Sequence, residues 1–446
     1  MKKQGILFIV HKKWIYTGPK AVFIGALLLA STLVATLAGA QSPARSDSAV
    51  MAFLAAQHIP VTENNTLTLL KSGQEKFDAL FDDIARARQH IHLEYFNIRN
   101  DSIANRLFEL LAGKVSEGVE VRVIFDAFGN MSNNRPLKEK HLTSLREQGI
   151  EIEIFDPLCF PYFNHINHRD HRKIAVIDGR VGYTGGINVA DYYLNGTPEI
   201  GEWRDMHVRI EGEAVDCLQE IFLAMWTLIT GCDIDQGGYC NGAAVPAPDT
   251  ATAIDTVTVI DTATSVRIAI VDRVPRKMSR QMRDTYIQSM NAAQSKIQIV
   301  NAYFIPGRAI KKALKAALVR GVTVEIMISK KSDVPFTPEG VFYVAHRLVK
   351  KGADVYVYNG GFHHSKVMTV DECFSAVGSV NFDARSFNHD YEVCAFIFDE
   401  QTAAELGAIF EDDKTRSTKM TPEDWQKRPV WKRFTGWLAN LLSPLL

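Results

Sequence analysis

Two stretches of this chain, HRKIAVID from His171 and HSKVMTVD from His364, each set a histidine two residues before a lysine and seven before an aspartate. The first supplies His171, Lys173 and Asp178, the second His364, Lys366 and Asp371. The surroundings repeat as well. KFDALFDDIARARQHIHLEYFNI reads as an amphipathic helix followed by an alternating strand, and DTYIQSMNAAQSKIQIVNAYFI has the same order. Helices then run into GVEVRVIFD and GVTVEIMIS, and into GIEIEIFD and GADVYVYN. Beyond the motifs come TGGIN, ending at Asn188, and VGSVN, ending at Asn381, each asparagine 17 residues after its histidine.

A unit of this size duplicated once is large enough to own a core, which sets it apart from a short-period solenoid. The expected fold is α/β: two tandem, pseudo-twofold-related α/β/α units with the motifs brought together at their interface. The first repeat is expected over 62–232 and the second over 264–415. Residues 233–263, rich in Gly, Ala, Pro and Thr, read as a linker.

IAVI and VMTV, between lysine and aspartate, read as buried strand, with histidine and lysine on one face of its entrance. With 13 histidines in 446 residues, one such motif arises by chance on the order of a few hundredths of a time. Two copies at matched places argue against a solvated strand end. Two lysines, two asparagines and two histidines meeting at one interface suit a phosphodiester. The ammonium and amide groups stabilise charge on the non-bridging oxygens, one imidazole attacks phosphorus, and the other protonates the departing alkoxide. A lysine beside each histidine disfavours a metal ion, so neither metal nor other cofactor is expected.

The paired motifs, with GGIN and GSVN downstream, resemble the phospholipase D superfamily and, within it, the bacterial cardiolipin synthases. NHRDHRKIAVIDGRVGYTGGINVADYY, WRDMHVRIEG, NAYFIPG, FHHSKVMTVD and GSVNFDARSFNHDYE carry that resemblance. It implies that His171 and His364 form the catalytic pair and that Lys173, Lys366, Asn188 and Asn381 bind phosphate. Glu392 would orient a histidine, Asp205 would be its counterpart in the first half, and Ser379 would support the site. The motif aspartates Asp178 and Asp371 are placed in the catalytic set, with a role more structural than chemical. The implied reaction makes cardiolipin and glycerol from two phosphatidylglycerol molecules through a phosphohistidine. Hydrolysis by water, as in a phospholipase D, is the alternative. A nuclease of the superfamily is disfavoured because 50 Lys and Arg balance 51 Asp and Glu, leaving no sign of a nucleic-acid partner.

The expected partners are lipids. Lys2, Lys3, Lys12, Lys13 and Lys20 precede the apolar run 21–40, so residues 1–40 read as a membrane segment with its N-terminus cytoplasmic and the catalytic body outside. Its length favours an uncleaved anchor over a signal peptide cut at Ala38-Gly39-Ala40. The cardiolipin synthases usually have two apolar segments where this chain has one. Residues 416–446 end in an amphipathic stretch that suits either the lipid interface or docking on the protein's own core. Cys159, Cys217, Cys373 and Cys394 read as buried hydrophobes. Cys232 and Cys240 are open to pairing in an oxidising compartment or to remaining thiols.

Overall fold

The computed structural model describes residues 45–157, 167–232, 234, 238–240, 265–275, 280–335 and 337–442. The apolar run 21–40, Cys159 and most of 233–263 lie outside them. The first repeat contributes β1 (Thr62–Leu70), β2 (His90–Tyr95), β3 (Glu120–Asp126), β4 (Glu151–Phe155), β5 (Lys173–Ile177), β6 (Val181–Gly185), β7 (Glu202–Arg204) and β8 (His207–Gly212). The second contributes β9 (Val266–Arg273), β10 (Lys296–Asn301), β11 (Thr323–Ser329), β12 (Asp354–Tyr358), β13 (Gly361–His363), β14 (Lys366–Val370), β15 (Phe374–Gly378), β16 (Glu392–Phe398) and β17 (Ser417–Lys419).

Fifteen strands form one sheet in the order β17-β12-β11-β10-β14-β15-β16-β9-β1-β8-β6-β5-β2-β3-β4. Read outward from the β9–β1 junction, the two halves match strand for strand, and β17 caps the far edge of the second. Strands β2, β3 and β4 are parallel, as are β10, β11 and β12, because helices cross between them. The motif strands β5 and β14 run antiparallel to β2 and β10.

Strands β5 and β14 are buried at every residue. The apolar run between lysine and aspartate is therefore covered on both faces. Ile174 and Val176 join Val367, Val377 and Ile397 in a cluster fed by both repeats, each contributing roughly 1.5–3 kcal/mol by leaving water. The repeats are thus welded through a shared apolar layer as well as through the sheet. Helix Gly73–Arg86 shows the local logic: Ser72 caps it by accepting from the Glu75 amide, and Phe77, Leu80, Phe81 and Ile84 face inward at helical spacing.

Helix Ser46–Ala56, ahead of the first repeat in sequence, belongs to the second in space, with Val50 and Leu54 in the second repeat's core. Strand β17 pairs with β12, and helix Val430–Leu442 follows. Among the described residues no helix is long and apolar enough to cross a membrane.

Candidate active site

Each motif histidine lies just before its motif strand and is held by backbone from the other repeat. The Asp170–His171 segment pairs with Tyr391, and the His171 amide donates to the Tyr391 carbonyl at 3.0 Å. On the other side β13 pairs with β7, and the His364 amide donates to the Arg204 carbonyl at 2.7 Å. The next residue on each opposing segment is a carboxylate: Glu392 after Tyr391, Asp205 after Arg204.

His171 Nδ1 lies 3.0 and 3.1 Å from the two Glu392 oxygens, and His364 Nδ1 lies 2.7 Å from Asp205 Oδ2. An ionised carboxylate can only accept, so Asp205, and Glu392 in its ionised form, place the proton on Nδ1 and leave Nε2 for chemistry. Lys173 Nζ donates to the His171 carbonyl at 2.5 Å. Lys366 Nζ lies 2.9 Å from both ring nitrogens of His364. The histidine side chains are only 13% and 7% exposed.

Burial sets the electrostatics. It pulls Lys173 down to about 7 and Lys366 to about 8, with the Glu392 and Asp205 carboxylates respectively opposing it. His171 falls well below its ordinary value through burial and then Lys173 and Lys366. His364 is lowered by burial and Lys366, with Asp205 opposing. The carboxylates diverge. Burial raises Glu392 to about 7. It also acts to raise Asp205, but Lys366 and His364 outweigh it and hold that group at about 2.

The two halves also differ in detail. The Ser379 hydroxyl donates to Glu392. The matching residue is Gly186, where a Cβ would stand 2.1 Å from Asp205 Oδ1, so the shorter carboxylate rests on bare backbone. Asn188 accepts from the Asn97 amide at 3.3 Å and donates to the Tyr193 hydroxyl at 3.2 Å. The Asn381 Oδ1 is buried without a hydrogen-bond partner.

The structure places Asp178 and Asp371 at the far end of their motif strands, each fastened to backbone amides. Five residue steps, about 17 Å at 3.3 Å per step, carry the chain from each lysine to its aspartate. Asp178 accepts from the amides of Arg88, Gln89 and His90 at 2.8, 2.8 and 3.0 Å. Asp371 accepts from those of Gln294, Ser295 and Lys296, each at 2.8 Å. Both sit at φ 53° in the hairpin turn leaving the motif strand. They fasten that turn to the start of the neighbouring strand.

Residues that the sequence reading did not single out complete the site. Phe362, Trp203, Tyr303 and Tyr193 surround the His364 ring at centroid distances of 5.3, 5.9, 5.9 and 6.3 Å. Phe96 stands 5.0 Å from His171. Asp413 Oδ2 lies 3.0 Å from both Arg204 Nε and His363 Nε2, the neighbours of Asp205 and His364. In the first repeat Asp126 accepts from Arg169 Nε and the Asp170 amide, both at 2.9 Å. Adjacency in EWRD and FHH was the one signal available for the aromatic wall. Nothing marked Asp413.

Cys394 is buried, while Cys217 and Cys373 are part-buried. Cys232 and Cys240 remain separate thiols, so the pairing considered for them is not formed. Burial and then the charges of Asp216 and Glu220 on helix Ala214–Thr230 push the Cys240 thiol up. Among the described residues no group of three His, Cys, Asp or Glu side chains is placed to hold a metal ion.

A family model described as cardiolipin synthase, phospholipase D-like domain, matches residues 80–226 and 286–414. A cardiolipin synthase of Oceanobacillus iheyensis is 37% identical over 385 residues, spanning 86% of this chain and 76% of that protein. The major cardiolipin synthase of Bacillus subtilis is 36% identical over 391 residues, spanning 87% and 77%. Among solved structures, the phosphatidylserine synthase of Haemophilus influenzae superposes on 90% of this chain and all of its own with a TM-score of 0.65. At 13% identity that likeness is one of fold.

Proposed function

Because the chain belongs to the cardiolipin synthase family of phospholipase D-like proteins, we propose that it transfers a phosphatidyl group from one phosphatidylglycerol to another, releasing glycerol and forming cardiolipin. The observation that carries this reading is the crossed pair of hydrogen bonds, His171 to Glu392 and His364 to Asp205, which builds one site from both repeats.

The attacking imidazole must be neutral and the proton donor charged. His171 is the more strongly depressed of the two, and its carboxylate partner is pushed up to about 7. His364 is lowered too, but it faces a carboxylate held at about 2, a full negative charge that opposes the loss of its proton. His171 is therefore the nucleophile and His364 the general acid. His171 Nε2 forms a bond to phosphorus as the bond to the glycerol oxygen breaks, and His364 gives that oxygen its proton. A hydroxyl of the second lipid then gives its proton to His364 while its oxygen attacks phosphorus and displaces His171. Lys173 and Lys366, with Asn188 and Asn381, stabilise the non-bridging oxygens through both steps. The aromatic wall at His364 favours a lipid alcohol over water as the acceptor.

The reaction belongs at a membrane. The lysine-flanked segment 21–40 would anchor the chain in a bacterial inner membrane with the catalytic body extracytoplasmic. Purified protein given phosphatidylglycerol labelled in its headgroup glycerol tests the reaction. Cardiolipin and free glycerol in equal amounts support transfer. Phosphatidic acid as the sole lipid product would identify a hydrolase.

A further inference from the structure

Helix Val430–Leu442 is docked inside out. Its small and polar side meets the protein: a Cβ on Gly436 would stand 2.5 Å from the Glu339 carbonyl, Lys432 reaches Glu339 at 3.6 Å, and Asn440 accepts from Lys311 at 3.2 Å. Its apolar side faces outward, with Trp431, Phe434, Trp437 and Leu441 each 45–59% exposed. These four recur every three or four residues and so form one stripe. The protein's own core, one of the two places open to this segment on sequence, is therefore not where its apolar face goes. A contiguous stripe of this kind marks a surface built to be covered.

Charge names the cover. The partner of Asn440, Lys311, lies on helix Arg308–Val319, which has no acidic residue and exposes Arg308, Lys312 and Lys315. Lys311 is depressed by burial and then by Lys315, Arg347 and Arg308, as expected where cations crowd. An aromatic stripe beside a run of cations is complementary to an anionic lipid surface.

We propose that helix Val430–Leu442 lies in the headgroup boundary of an anionic bilayer, its Trp431–Leu441 stripe in the acyl region and helix Arg308–Val319 against the lipid phosphates. This contact is separate from any anchoring by segment 21–40. Helix Thr337–Val349, on which the docked helix rests, begins four residues beyond Asp333. The Asp333 carboxylate receives the hydroxyl of Tyr303, part of the wall around His364.

The test uses the full chain in phosphatidylglycerol vesicles whose acyl chains carry bromine, a contact quencher of tryptophan fluorescence. Wild type is compared with a Trp431→Leu/Trp437→Leu double variant that keeps the face apolar. The expected result is loss of at least half of the lipid-dependent quenching in the double variant. In phosphatidylcholine vesicles the difference should shrink, since each cation engaged is worth about fivefold in partitioning to an anionic surface. Equal quenching of wild type and variant would overturn the proposal. So would efficient disulfide cross-linking between two copies of Trp437→Cys, which would assign the face to a second molecule. A Trp431→Ser/Phe434→Ser/Trp437→Ser variant that still turns over detergent-dispersed phosphatidylglycerol within twofold of wild type confirms that the fold survives. Quenching is read without turnover, so failure of the transfer reaction and failure of the contact are separable.

Discussion

His171 Nδ1 lies 3.0 Å from Glu392 Oε1 although 221 residues separate them. The same relation holds in reverse between His364 and Asp205. Neither repeat owns a complete histidine–carboxylate pair. Asp205→Asn and Glu392→Gln should therefore each lower kcat by about 10²–10⁴-fold with little change in KM, as when the orienting carboxylate of a histidine is neutralised. Steady-state kinetics on mixed micelles reads this. A loss under threefold at both positions would remove the carboxylates from the mechanism.

The motif aspartates should separate stability from chemistry. Asp178→Ala and Asp371→Ala each strand three backbone donors, at a cost of about 3 kcal/mol to folding. Thermal melts should show the loss, whereas kcat per folded molecule should stay within a few-fold. A large fall in kcat at unchanged melting temperature would return these residues to the chemistry.

The pH profile should have its alkaline limb in an unusual place. Burial brings Lys173 to about 7 and Lys366 to about 8, so as pH rises through this range the free enzyme loses the charges that meet the phosphodiester. kcat/KM should begin to fall as His364, itself lowered from its ordinary value, loses the proton it must give, and fall further as the lysines discharge between about pH 7 and 8, far below the roughly 10.4 of an ordinary lysine. No acid limb is expected near 6.5, because His171 is depressed and stays neutral as pH falls through that value. Lys173→Arg, which keeps its charge, should move the alkaline limb upward. A limb near pH 10 in wild type would contradict the argument.

Asp413 is a positioning residue, since it touches His363 and Arg204 and neither catalytic histidine. Asp413→Asn should lower kcat about tenfold or more and leave KM nearly unchanged, while Asp413→Glu should recover part of the loss. Equal changes in melting temperature with no kcat difference between the two variants would reduce the residue to a structural one.

The repeat and the alternation of its elements were readable because strand and helix periods are local, and the 17-residue step from His171 to Asn188 and from His364 to Asn381 advertised one design used twice. The carboxylate partners came through family resemblance alone: Glu392 and Asp205 differ in length and lie 221 and 159 residues from their histidines. Trp203 and Phe362 were hidden because an aromatic beside a strand reads as core. Asp178 and Asp371 entered the set by membership of a motif, and the rise of a five-residue strand agrees with the more structural role read for them. The C-terminal helix left two readings open because an amphipathic sequence does not say which face turns inward. Gly436 against Glu339 shows its small side turned to the protein.

The central claim is that His171 and His364 act as one unit with His171 as nucleophile. It is tested most directly by rapid quenching of the wild-type enzyme and of His171→Ala during turnover of labelled phosphatidylglycerol, followed by mass spectrometry of the histidine peptides. The account predicts a phosphatidyl group on His171 in wild type and none in His171→Ala. An adduct on His364, or full turnover by His171→Ala, would contradict it.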